Sequence, residues 1–321
     1  MLKTLIILLV LTLIEIIVFH YYIKKLKSKQ YTQSVRELGP RSHQIKSGTP
    51  TAGGIIFIAF LLIDFTTIKL LNKISFKLDD LILLIGIVLF GVLGYLDDIK
   101  IIKQKKNDGL TPSFKILAEC VICIILFILM ILNNYKHQLQ INNKVIKLGV
   151  FSVFFVMFYI IGWSNSVNIT DGLDGLASYL ALSIFVGMFI IGKIEKNELL
   201  VISSLCMFFS VLGFLVFNFH PALVFMGNVG SHSLGAGIAI CGLLTQTEIV
   251  LVVFGLLFIF ETFSVILQVW YYKKTNGKRI FKMAPFHHHL ELVGYQENSV
   301  SFIFLLISVL LVIIGVLLRG M

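Results

Sequence analysis

The sequence is short of charge. Asp, Glu, Lys and Arg make up 14% of its 321 residues, against 57% apolar residues, and the mean hydropathy is +0.94. A soluble domain of this length carries roughly twice that charge, so a water-surrounded globule is excluded. The apolar–polar alternation of outer-membrane barrel strands is also missing. Net charge is +10, yet nothing resembles a nucleic-acid motif, so no nucleic-acid partner is expected. No cysteine lies in a polar segment. Cys120, Cys123, Cys206 and Cys241 all sit inside apolar runs, and the C-x-x-C of "ILAECVICIILF" reads as two positions on a buried helix, not a metal or redox pair. The first apolar run has no small-residue cleavage site after it, so it reads as an uncleaved span. No soluble domain, low-complexity linker or internal repeat interrupts the chain. Residues 1–321 therefore read as a single polytopic membrane domain.

What the chain does have is a succession of apolar runs, each near the roughly 20 residues that cross a bilayer as a helix. The expected fold is an all-α integral membrane protein of about ten transmembrane helices. Their extents are 2–23, 52–71, 81–96, 114–132, 148–162, 176–192, 198–219, 233–245, 248–271 and 300–318. The third, fifth and eighth are short. The eighth, "SLGAGIAICGLLT", is rich in Gly and Ala, which suits packing between neighbouring helices more than facing lipid. Sixteen Lys and Arg fall in the loops after odd-numbered spans and nine on the other side, termini included. Excess positive charge stays in the cytoplasm, so both termini are predicted outside.

Every unusual polar cluster falls on the predicted cytoplasmic side. Asp97 and Asp98 in "GYLDD" close the third span. Two adjacent carboxylates there are a hydrated helix end, a divalent-cation site, or a base and its orienting partner. Acids at a helix C-terminus oppose the macrodipole, which favours a functional reading. Asn165, Asn168, Asp171 and Asp174 recur every three residues, broadly along one drifting helix face, with no cation in the loop to neutralise them. They read as a turn or, more economically, as a polar-ligand or metal site. "HHH" at 287–289, before Glu291 and after Lys278, Arg279 and Lys282, suits contact with phosphate or acid–base work near neutral pH. "SGTPTAGG", with Lys46 and Thr51, offers donors and glycine backbone for a phosphate or sugar hydroxyl. Glu261, Ser264 and Gln268 share one face of the ninth span and read as helix–helix hydrogen bonding. "PALVFMGNVGSHSLG" (221–235) is the oddest stretch, polar and glycine-rich between apolar segments. One-sided clustering points to one active site at the membrane surface. A transporter would place such residues near the midplane at broken helices.

Taken in order, "GTPTAGG", "GYLDD", "NITDGLDGLA", "PALVFMGNVGSHSLG", "ETFSVILQV" and "APFHHHLEL" resemble the phospho-N-acetylmuramoyl-pentapeptide transferase family, within the polyprenyl-phosphate N-acetylhexosamine-1-phosphate transferases. The resemblance covers nearly the whole chain. It implies transfer of phospho-MurNAc-pentapeptide from UDP-MurNAc-pentapeptide to undecaprenyl phosphate in the bacterial cytoplasmic membrane, giving lipid I and UMP, with Mg2+ as cofactor. A homodimer is also in keeping with the family. By the resemblance, Asp97 deprotonates or orients the acceptor phosphate beside Asp98. Asp171, Asn168 and Asp174 hold the nucleotide and metal region. Lys46 and Thr51 contact the nucleotide end, Lys105 and Lys115 belong to substrate binding, and His287, His288 and His289 face phosphate. The family's "FMGD" acid is a magnesium ligand, and here that position is Asn228. The family's lysine three residues after the second aspartate is Ile101 here, flanked by Lys100 and Lys103. Its basic residue near 113 is Ser113, with Lys115 as substitute. Two other readings compete: a sister enzyme moving N-acetylglucosamine-1-phosphate, which "APFHHHLEL" disfavours, and a family member inactivated by Asn228.

Overall fold

The structure is a computed structural model that describes residues 1–29, 31, 48–104, 109–135, 138–141 and 144–320. It is helical almost throughout. In chain order the helices are α1 (Leu2–Ser28), α2 (Gly54–Leu71), α3 (Leu78–Gln104), α4 (Pro112–Leu132), α5 (Ser152–Thr170), α6 (Leu176–Ile194), α7 (Glu198–Asn218), α8 (Gly227–Thr245), α9 (Glu248–Phe254), α10 (Leu256–Lys274), α11 (Phe286–Val293) and α12 (Glu297–Gly320). The only strands among the described residues are a small antiparallel hairpin, β1 (Gln138–Ile141) and β2 (Lys144–Lys147), which the sequence reading did not foresee.

Among the described residues, eight helices are long and apolar enough to cross a membrane: α1 to α7, with α5 counted from Gly149, and α12. Two predicted spans behave differently. The stretch 248–271 is not one straight helix, because α9 and α10 meet at a 72° bend. Gly255 sits at the break, and the Trp163 ring occupies the space its side chain would need. That gives the kink its cause. The eighth span, predicted at 233–245, starts six residues earlier, at Gly227.

Helix α8 is the hub. Every residue from Val229 to Leu243 is buried, and the helix packs most extensively against α3 and α5. In lipid there is little hydrophobic drive between helices, so close backbone approach and interhelical hydrogen bonds hold them. Gly235 packs directly on the Trp163–Ser164 backbone, and Gly94 of α3 on the backbone of Asn228. Ser233 Oγ donates to Ile87 O across the α3–α8 seam at 3.0 Å. At the far end of the bundle, Lys69 of α2 is fully buried between Asp80 of α3 (2.9 Å) and Glu198 of α7 (3.2 Å). Such a pair persists at membrane depth because each charge has its partner.

Polar helix ends explain most of the shifted boundaries. Helix α3 runs to Gln104, beyond the predicted end at 96. Helix α5 runs to Thr170, beyond 162, and α8 begins at Gly227, ahead of 233. In each case the helix continues past the apolar run, and Asp97, Asp98, Asn168 and Asn228 there bond to other parts of the protein. The cluster expected in loops is therefore built largely on helix ends.

Candidate active site

Helices α3, α5 and α8 meet through four polar side chains. Asp98 does not end its helix. It lies buried two turns before the end of α3, facing the start of α8. Its Oδ1 accepts from Asn228 N and its Oδ2 from Val229 N, both at 3.0 Å. Those amides are among the first of α8 and have no partner inside their own helix, so a carboxylate there is favoured by hydrogen bonding and by the helix dipole. The predicted conflict with a C-terminal macrodipole is replaced by a favourable N-terminal one. Asn168, in the last turn of α5, donates through Nδ2 to Asn228 Oδ1 (2.6 Å) and Ser231 Oγ (2.8 Å). The Asn228 carbonyl oxygen is thereby oriented.

Asp97, on the preceding position of α3, points elsewhere. Its Oδ2 is 3.0 Å from Lys115 Nζ at the start of α4, and its Oδ1 accepts from Leu110 N at 2.6 Å. Thr51 is buried and reaches this centre by way of Gly227, a residue with φ +73°. A side chain at 227 would run into Asp98, the Thr51 hydroxyl and Ala52 N. Glycine is required there on both counts. The 50–54 segment is zipped to the stretch before α8: Phe225 N donates to Pro50 O (2.8 Å), Gly53 N to Phe225 O (2.9 Å) and Gly54 N to Met226 O (2.9 Å). Lys46 and Lys105 lie outside the described residues.

The three-residue spacing of Asn165, Asn168, Asp171 and Asp174 does not make one helical face. Helix α5 ends at Thr170. Asp171 caps it at φ −75°, ψ 50°, and Asp174 lies in the following turn. Three of the side chains go to separate partners. Asn165 donates to Glu119 Oε1 of α4 (2.9 Å) and Asn168 faces Asn228. Asp174 is buried, with Oδ2 bonded to Ala222 N (3.0 Å) and 2.9 Å from His220 Nδ1. Its backbone N donates to Glu297 Oε1 (2.6 Å). The Asp174 carboxylate thus ties the α5–α6 turn to the segment before α8, and its backbone ties that turn to α12.

The three histidines occupy three environments on α11. His287 is fully buried. Its backbone N donates to Glu261 Oε1 (3.1 Å), its Nδ1 lies 3.2 Å from Glu261 Oε2, and its ring packs on Gly172. His288 is partly buried, Nδ1 to Glu291 Oε2 at 2.8 Å, and also borders Gly172. His289 Nδ1 accepts from Lys282 N (3.1 Å), so this ring braces its own loop. On the Glu261, Ser264 and Gln268 face, the expected helix–helix hydrogen bonding holds between Glu261 and Ser264 of α10 and the start of α11, while Gln268 braces the loop between them. Ser264 Oγ accepts from Phe286 N (3.1 Å), and Gln268 Oε1 accepts from Ile280 N and Phe281 N (3.1 and 3.0 Å). The sequence reading missed Leu110, His220 and Glu297 as builders of the region. Backbone donors and ion-pair partners distant in sequence leave no local pattern.

This geometry now meets comparison with known proteins. Residues 81–246 match Glycosyl transferase family 4. The phospho-N-acetylmuramoyl-pentapeptide-transferase of Listeria monocytogenes serovar 1/2a is 41% identical over 297 residues, covering 92% of this chain and 90% of that protein. The protein of the same description from Bacillus subtilis strain 168 is 41% identical over 307 residues, covering 95% and 94%. The one from Staphylococcus carnosus is 41% identical over 308 residues, covering 94% and 95%. The chain belongs to the phospho-N-acetylmuramoyl-pentapeptide-transferase family. It is a multi-pass membrane phosphoglycosyl transferase, and enzymes of that kind generally use a divalent metal.

Near the start of α8 the donor available to such a metal is an oxygen, the Asn228 carbonyl turned by Asn168. Hard divalent cations prefer oxygen donors. The family's acid at 228 would add a negative charge that asparagine lacks.

Proposed function

We propose that this chain transfers phospho-MurNAc-pentapeptide from UDP-MurNAc-pentapeptide to undecaprenyl phosphate, with Mg2+, in the bacterial cytoplasmic membrane. The observation that carries the reading is near-full-length identity of about 40% to transferases of that description. The placement of the site supports it. A water-soluble anionic donor and a lipid acceptor can meet only where helix ends reach the aqueous boundary. The ten helical segments, counting α8 and the bent α9–α10 pair, then form one domain with both termini outside and the site on the cytoplasmic side.

In this reading an oxygen of the acceptor phosphate attacks the sugar-linked phosphorus of the donor. A P–O bond forms there, and the bond to the bridging oxygen breaks, its electron pair leaving with UMP. Asp97 takes or directs the acceptor proton, held in orientation by Lys115 and the Leu110 amide. Asp98 fixes the start of α8, and so positions Asn228. Asn228 and Asp171 would hold Mg2+, which when bound supplies charge neutralisation to the transferring phosphoryl group. Thr51, with Lys46, Lys105 and Lys115, serves donor binding. His287 and His288 flank Gly172 on the phosphate side, while Asp174 and His289 shape the walls.

The test is magnesium-dependent UMP release in detergent with undecaprenyl phosphate. UDP-MurNAc-pentapeptide and UDP-N-acetylglucosamine are supplied separately, with Asn228→Asp run in parallel. Release from the muramoyl donor is expected. Release only from the N-acetylglucosamine donor would replace this reading with the sister activity, and release from neither by either chain would refute it.

A further inference from the structure

Directly beneath the site lies a second polar layer, one helical turn deeper on each of three helices. Below Lys115 on α4 is Glu119, below Asn168 on α5 are Asn165 and Ser164, and below Asn228 on α8 is His232. Glu119, Ser164 and His232 are buried, at 1%, 0% and 0% exposure. Glu119 Oε1 accepts from Asn165 Nδ2 (2.9 Å) and lies 3.9 Å from His232 Nδ1. Ser164 Oγ and His232 Nδ1 are 2.7 Å apart, and His232 Nε2 has no partner. Helices in lipid do not bury a carboxyl and an imidazole without consequence.

A buried carboxyl keeps its charge only with a cation within reach. His232 does not supply it. A protonated imidazole needs an acceptor at each nitrogen, and Nε2 faces none. Among the described residues the remaining cation here is Lys115, on the same face of α4 as Glu119 at the four-residue spacing. Lys115 therefore answers to two acids: Asp97 by direct contact at 3.0 Å, and Glu119 by electrostatic attraction without direct contact.

We infer that Glu119 is a positioning residue for the transfer, acting through Lys115 and held by Asn165 and His232. It draws the Lys115 ammonium towards the membrane interior and shares its charge, so that Asp97 is oriented by Lys115 without being wholly neutralised by it. The inference rests on the transfer reaction proposed above.

The test is a double-mutant cycle on UMP release, with kcat and KM measured for both substrates. Glu119→Gln is expected to lower kcat about tenfold, with each KM within twofold, as for one charge acting at a distance on the reacting groups. In a Lys115→Gln background the same change should have little further effect, because the residue through which Glu119 acts is gone. Glu15→Gln, removing a buried acid of α1 packed on Gly213, is the control and should leave kcat within twofold. Glu119→Asp should recover part of the loss. If Glu119→Gln leaves kcat unchanged, or if its effect multiplies in full with that of Lys115→Gln, the inference fails. If the unmodified chain releases no UMP, it is the proposed reaction that fails.

Discussion

Two adjacent aspartates illustrate how little a residue's neighbours in sequence say about its work. Asp97 and Asp98 share a peptide bond, but Asp98 spends both carboxylate oxygens on amides at the start of α8, while Asp97 faces Lys115 and Leu110. Asp97→Asn keeps the shape and loses the base, so kcat should fall by about 10²–10⁴ with unfolding temperature little changed, read by UMP release and a thermal scan. Asp171→Asn should abolish transfer in the same assay, again without unfolding, since Asp171 closes α5 through its backbone. Near-normal turnover in either variant would remove that residue from its proposed role. Asn228 makes a different kind of claim. Its carbonyl is already aimed by Asn168, so geometry is in place and only charge is lacking. Asn228→Asp should tighten the apparent magnesium requirement by about tenfold, measured as the Mg2+ concentration for half-maximal UMP release and independently by displacement of bound Mn2+. An unchanged requirement would mean that position 228 does not touch the metal.

At the scale of elements, the site depends on where α8 begins. That start is defined by Asp98 taking its first amides and by the left-handed φ of Gly227. Gly227→Ala should cost about 1–3 kcal/mol of stability through the strained backbone alone. Transfer should also fall, because a methyl group there would push on Asp98 and Thr51. A thermal scan in detergent that shows no loss would contradict the geometry. The same stretch shows why part of the fold was legible and part was not. Apolar runs located α2, α4, α6 and α7 to within a few residues, since in lipid the hydrophobic length is the main constraint. The ends of α3, α5 and α8 were read as loops because Asp97, Asn168 and Asn228 are polar. Hydropathy cannot distinguish a polar loop from a helix whose polar face is turned towards other helices. Likewise the three-residue rhythm from Asn165 to Asp174 was real in sequence but broken in space by the end of α5 at Thr170. The members of the site were largely recognisable from their motifs. Their partners, such as Glu119 for Asn165 and His220 for Asp174, came from helices and segments that no local pattern connects.

For the whole molecule, the open quantity is which way it sits in the membrane, and the bundle's own polarity makes this testable. The site gathers the end of α3, the end of α5, the start of α8 and the loop after α10 at one end. The turn between α6 and α7, with exposed Lys196, lies at the other end, beside the buried Lys69–Asp80 pair and its exposed partner Glu198. On the orientation proposed above, the charge bias of the loops puts the first end in the cytoplasm, where the proposed nucleotide-linked donor is available. In a chain with its four cysteines changed to alanine, Lys196→Cys should react with a membrane-impermeant maleimide in intact cells. Lys278→Cys, in the exposed loop after α10, should react only once the cells are permeabilised. Both positions are exposed, so a difference between them reports sidedness and not burial. The reverse pattern would put the site on the outer surface, out of reach of its nucleotide donor, and would overturn the orientation and the proposed reaction together. Labelling of both in intact cells would mean that the chain does not divide its two ends across the membrane as drawn. Thus a charge count in the loops, a helix polarity in the fold and a substrate's compartment all make one prediction about a single pair of side chains.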